Sequence, residues 1–145
     1  MEPTMRARRL LDLMHRLRRW QNSPALAQLS ACNLSFSHMR LLHLLAPDRI
    51  MAMKDLADTL QITPPSMTAL TRRLVQTGLV ARQTHHEDSR IVLLMLTDAG
   101  RQLHQQLHAE QLQRMQELLA ALNDAEQVQF LELFERAMAR YTADS

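Results

Sequence analysis

At 145 residues the chain is long enough for one domain whose folding removes about two thirds of its extended surface from water, so no disulfide or metal is needed to hold a core. Two glycines, five prolines and 3% aromatic residues, beside abundant Leu, Ala, Gln, Met and Arg, favour helix and exclude a large sheet. A net charge of +2 is too small to speak for any partner, and the single Cys32 excludes an internal disulfide, in keeping with a reducing compartment.

The distribution of charge says more than its total. Residues 1–20 hold six arginines against Glu2 and Asp12, whereas residues 110–145 hold three arginines against seven acids. Opposite signs suggest that the terminal segments lie against each other, within one chain or between two. The longest apolar run, Ile91 to Leu96, is far shorter than the roughly 20 residues of a membrane-spanning helix, and the Arg-studded start has no signal-peptide core. A soluble, cytoplasmic protein is expected.

From Arg6 to about Gln21 the residues Leu10, Leu13, Met14, Leu17 and Trp20 recur every three to four positions, which predicts an amphipathic first helix. Pro24 then weakens continuity. Asn33 and Ser35 are both possible N-caps for a second helix with Phe36, Met39, Leu42 and Leu45 inward, closed before Pro47. A third helix, Met53 to Leu60, stops at Gln61-Ile62-Thr63. Thr63 can cap a fourth, in which Pro64 takes the first position and Met67, Leu70, Leu74 and Val75 face inward until Gly78. Two short helices joined by a tight turn make a helix-turn-helix.

After Gly78 the period changes. LVARQT reads as a strand, HHEDS as a polar turn and RIVLLML as a returning strand, which together form a hairpin. From Asp98 to about Leu122 a long helix carries Leu103, Leu107, Leu112, Met115, Leu119 and Leu122. Asn123 and Glu126 then form a capping-box pair opening a last helix with Val128, Leu131, Phe134, Met138 and Tyr141 inward. Two such helices with almost no linker need a partner surface.

The expected fold is mainly α with a small β-hairpin wing: a winged helix-turn-helix flanked by terminal helices. The run LADTLQITPPSMTALTRRLVQTGLVARQTHHEDSRIVLLMLTDAG resembles the MarR family of winged helix-turn-helix transcriptional regulators. The likeness lies in Leu74, the Gly78-Leu79-Val80 exit, Arg82, Asp88-x-Arg90 and Leu96-Thr97-x-x-Gly100. It implies one MarR-type domain over residues 1–145, with a DNA-binding lobe at about 35–97 and dimerisation helices at about 5–30 and 98–143. It also implies a homodimer on a pseudo-palindromic operator in double-stranded DNA, usually a repressor released by a small-molecule ligand or an oxidant.

On that resemblance the helix at about 64–77 enters the major groove, where Pro64, Pro65, Ser66, Thr68, Thr71 and Arg72 are the candidates to meet bases or phosphates. Arg73 would serve a phosphate or an internal ion pair. Arg90 would sit near the wing tip and enter the minor groove, with Asp88 orienting it and His86 meeting phosphate or solvent. The HHED run could instead chelate a metal. Adjacent side chains of a hairpin point to opposite faces, however, so His85 and His86 are not expected to converge.

His104 and His108 share one helix face, a spacing that suits a zinc-responsive regulator if His15, His38 or His43 completes the site; ordinary interface or pocket histidines are the other reading. Cys32 lies in the region where the family's hydroperoxide-sensing members keep their thiol, but without the surrounding tyrosines, so a small buried apolar residue is the simpler account. His15, Trp20, His38, Arg40 and His43 could line a pocket for a small aromatic or anionic effector, although Trp20 is also simply the largest member of its stripe. From another class, the chain could be a helical oligomerisation or scaffold protein. No phosphate-cradling glycine loop, nucleophile elbow or paired carboxylates point to an enzyme, and no cofactor is expected.

Overall fold

The structure, a computed structural model, describes residues 2–19 and 24–143. Among these the order is α1 (Pro3–Arg19), α2 (Pro24–Ala31), α3 (Phe36–Leu45), β1 (Met51–Ala52), α4 (Met53–Leu60), α5 (Pro64–Gln76), β2 (Val80–Thr84), β3 (Val92–Leu96), α6 (Asp98–Leu119) and α7 (Asp124–Ala143). The chain divides into two units, Met1–His108 and Ala109–Ser145.

The turn between α4 and α5 follows from three residues. Gln61 takes a left-handed conformation (φ 55°), which stops α4 while Ile62 N–H closes onto the Ala57 carbonyl at 3.1 Å. Thr63 then caps α5, its hydroxyl accepting from Ser66 N–H at 3.4 Å, and Pro64 occupies a first-turn position where its missing N–H costs nothing. The core beneath this turn joins Leu41, Leu42 and Leu45 of α3 to Leu56 of α4, Met67 and Leu74 of α5, Val80 of β2 and Leu94 of β3. Each such side chain contributes about 1.5–3 kcal/mol by leaving water.

The sheet is antiparallel in the order β1-β3-β2, with Met51 opposite Leu94 and Val80 opposite Leu96. Its stem is locked to α6 by Thr97, whose hydroxyl donates to the Gly78 carbonyl at 2.6 Å and accepts from Gly100 N–H at 3.1 Å. Gly78 has a φ of 73°, and a side chain at Gly100 would collide with the Leu79 carbonyl, so the two glycines serve different needs. In the second unit, Asn123 and Glu126 form the reciprocal capping box: Glu126 accepts from Asn123 N–H at 2.9 Å, and Asn123 accepts from Glu126 N–H at 3.0 Å.

Several expectations need correction. A helix that the pattern did not announce, α2, begins at Pro24, because proline is tolerated at a first helical position. β1 adds a third strand that its two residues were too short to announce, and the returning strand starts at Val92, leaving Arg90 and Ile91 outside it. Phe36 is 73% exposed because it stands at the start of α3, whose inner side is Leu41, Leu42 and Leu45. Val75 is likewise exposed, while Ser35 rather than Asn33 caps α3. The first helix starts earlier than Arg6, at Pro3, and the sixth ends at Leu119. No helix among the described residues is long and apolar enough to cross a membrane.

Candidate nucleic-acid interface

The amphipathic spacing of α5 turns Met67 and Leu74 into the core and leaves Pro64, Pro65, Ser66, Thr68 and Arg72 exposed. Ser66 accepts from the Thr63 hydroxyl at 3.0 Å, and the Thr68 hydroxyl donates to the Pro64 carbonyl at 3.0 Å. Two expected contacts are not on this face. Thr71 is buried at 1% exposure with no partner for its hydroxyl, since it follows Met67 by one helical turn on the inner side. Arg73 is half-buried and donates from Nε (3.1 Å) and Nη2 (2.6 Å) to the main-chain carbonyl of Cys32.

The wing carries another exposed cation. Arg90 receives no strand pairing; its backbone N–H and Nε donate to Asp88 Oδ1 at 3.0 and 3.1 Å, and Nη2 donates to Oδ2 at 3.1 Å. The bonds from the Arg90 side chain, then from its backbone, hold the Asp88 carboxyl below the usual carboxylate range. The arginine side chain remains 89% exposed. His85 and His86 do come together, with rings stacked at 4.8 Å, because they lie in the turn and not on alternating strand faces. His85 Nδ1 accepts from Glu87 N–H at 3.2 Å, while His86 Nε2 stands 3.5 Å from Glu87 Oε1. Arg82, exposed on β2, is a further cation that period-two alternation along LVARQT could have singled out.

The proposed pocket residues within the described part of the chain differ in exposure and in partners. His15 and Arg40 are exposed, Trp20 lies outside the described residues, and His38 is buried against Ser35 with its Nδ1 accepting from Ser35 N–H at 2.9 Å. His43 Nδ1 instead meets His104 Nε2 at 3.1 Å, linking α3 to α6, and the His108 ring stacks on His104 at 6.2 Å. Burial, then the nearby His43 and His108, lower the His104 pKa from 6.5. Among the described residues no group of three or more His, Cys, Asp or Glu is placed to hold a metal ion, in HHED or at His104 and His108. Cys32 is a half-buried free thiol.

This arrangement, an exposed polar helix edge beside a cation held at a wing tip, occupies α3 to β3. Residues 34–92 match the model of the MarR family. Over that segment the chain is similar to the MarR family. It is 34% identical over 82 residues to the HTH-type transcriptional regulator FarR of Neisseria gonorrhoeae. That match covers 57% of this chain but only 56% of FarR, so the chain spans little more than half of that relative. Among solved MarR-like folds, NadR in complex with 4-hydroxyphenylacetate is 26% identical, with 86% of this chain and 88% of NadR covered and a TM-score of 0.58. A variant of S. aureus MepR bound to an oligodeoxyribonucleotide has a TM-score of 0.64 at 21% identity, covering 91% of this chain and 97% of MepR. The last likeness concerns the fold.

Proposed function

We propose that this chain is a member of the MarR family: a dimeric, sequence-specific DNA-binding transcriptional regulator of the cytoplasm, a repressor released by a small-molecule ligand or an oxidant. The observation that carries the reading is α5: a polar edge of Pro64, Pro65, Ser66, Thr68 and Arg72 exposed above an apolar underside, on a helix braced by α4. In the major groove the Arg72 guanidinium can meet guanine, and the hydroxyls can meet bases or phosphates. Arg90, kept extended by Asp88, is suited to a narrow minor groove, whose negative potential attracts a guanidinium. His86 at the same tip is a phosphate contact.

Dimerisation accounts for apolar stripes that monomeric proteins rarely leave open. Leu10, Leu13, Met14 and Leu17 are exposed on α1, and Leu131, Phe134 and Met138 on α7. A second copy would cover each, with the basic start and acidic end of the chain complementing one another. The winged lobe is then residues 35–97, and the flanking helices are the dimerisation segments of a single MarR-type domain. The complexes of MepR with an oligodeoxyribonucleotide and of NadR with 4-hydroxyphenylacetate support a DNA partner and a small aromatic anion as effector. Exposed Arg40 is the residue here best able to attract such an anion.

Titrating the purified protein against the DNA upstream of its own gene at several salt concentrations tests the proposal. Log affinity should fall with log salt at about −0.9 per phosphate neutralised. A flat response would instead favour the protein-binding scaffold.

A further inference from the structure

The segment from Cys32 to Ser35, between α2 and α3, is held at both ends by side chains whose work lies elsewhere. At one end Arg73 of α5 gives two N–H donors to the Cys32 carbonyl, at the close of α2, where a helix leaves acceptors without partners and favours a cation. At the other end Ser35 N–H and the Ser35 hydroxyl both lie 2.9 Å from Nδ1 of His38. A ring nitrogen that accepts an N–H carries no proton, so the neutral imidazole fills the position that Glu or Gln takes in a capping box.

We propose that Arg73 is a positioning residue for the recognition helix, tying α5 to the end of α2, and that His38 makes this latch sensitive to acid. The inference rests on the DNA-binding reading and deepens it by naming a regulation of the same helix. A proton arriving at His38 can only enter at the accepting nitrogen or leave that nitrogen's bond intact on the far side of the ring; with the far nitrogen already protonated, Nδ1 is the site. Ser35 N–H then loses its acceptor, and an imidazolium stands near the Arg73 guanidinium. The 32–35 segment loosens, and with it the carbonyl that anchors α5.

The surroundings favour the neutral ring. Burial, then the charge of Arg73, lower the His38 pKa from 6.5. Of the elements packed on α3, β3 brings no titratable side chain, α4 carries Lys54, Asp55 and Asp58 exposed, and α6 brings half-buried Arg101 and His104, the latter bonded to His43, and exposed His108. From α5 come exposed Arg72 and half-buried Arg73; the preceding turn supplies the half-buried Cys32 thiol, and on α3 itself Arg40 and His43 are exposed. No carboxylate among the bonded neighbours offsets a proton on His38.

The test measures affinity of the full chain for the upstream DNA across salt, and from about pH 5 to about pH 7.5. Arg73→Met is expected to bind about tenfold more weakly with an unchanged salt slope; a slope shallower by about 0.9 per lost contact would make Arg73 a phosphate ligand and overturn the latch. His38→Gln, which keeps an acceptor for Ser35 N–H, is expected to match wild type at the upper pH and to lose less affinity below pH 6.5. Equal acid loss in both proteins overturns the proposal. Thermal melting across the same pH range reads the latch without DNA: wild type should lose stability below pH 6.5 more than His38→Gln, and identical curves sink it. If wild-type protein binds no DNA, the regulator reading fails by itself, and melting still decides the latch.

Discussion

Arg90 grips both carboxylate oxygens of Asp88, at 3.1 Å each, while its own side chain stays 89% exposed. Such a pair, with a fully solvated guanidinium, adds little to stability, because water screens it. Its effect is on the direction of the guanidinium. Arg90→Ala is therefore expected to weaken operator binding by about tenfold or more, with the melting temperature unchanged. Asp88→Asn should weaken it less, since the arginine remains but is less well directed. Gel-shift titration at fixed salt measures both, and undiminished affinity in Arg90→Ala would remove the wing from the interface.

Thr71 allows a sharper discrimination between reading and packing. Its buried hydroxyl has no partner, so Thr71→Val should raise stability by about 1 kcal/mol and leave DNA affinity as it was. A fall in affinity together with a stable fold would return Thr71 to the base-reading face.

That residue also shows where sequence reasoning reached its limit. The helix-turn-helix, the hairpin and the capping box at Asn123 were legible because each rests on local signals: period, proline placement and a turn residue. The division of α5 into an outer and an inner side was legible at Met67 and Leu74, but a threonine or arginine at its margin can point either way. Thr71 is buried, and Arg73 meets the Cys32 carbonyl 41 residues away, which no local pattern announces. α2 itself was hidden because proline signals both a helix break and a helix start. The His43–His104 bond spans 61 residues, and no pattern in the chain announces it.

Gly100 sits where the start of α6 passes the Leu79 backbone. Gly100→Ala places its methyl group against the Leu79 carbonyl, and a backbone atom cannot swing away as a side chain can. The expected cost is about 1–3 kcal/mol, the range for forced overpacking, despite the better helix propensity of alanine. Denaturant unfolding checks this, and a variant as stable as wild type would show that α6 can shift without loss.

His43 and His104 share one hydrogen bond at 3.1 Å, so at least one ring must supply an unprotonated nitrogen. The folded-state pKa of His104 is lowered from 6.5, chiefly by burial and then by His43 and His108. As pH falls through 6.5 the unfolded chain takes up its proton first, so the unfolded state gains protons relative to the folded one. Stability should accordingly decline as pH falls below that point and be fully present above it. His104→Gln is expected to flatten this decline, measured by melting temperature against pH. An unaltered curve would show that the α3–α6 contact carries no proton linkage.

In the second unit, α7 begins on a reciprocal pair: Asn123 accepts from Glu126 N–H at 3.0 Å, and Glu126 accepts from Asn123 N–H at 2.9 Å. Both groups are main-chain donors that a helix start otherwise leaves to water. Asn123→Ala removes a preferred cap and should cost about 1 kcal/mol, whereas Asn123→Gly should cost only a few tenths. If α7 also supplies dimer surface through Leu131, Phe134 and Met138, fraying its first turn weakens association as well. Sedimentation across protein concentration should then show Asn123→Ala dissociating at higher concentration than wild type, with Asn123→Gly between them. Equal dissociation of all three would place the start of α7 outside the dimer contact.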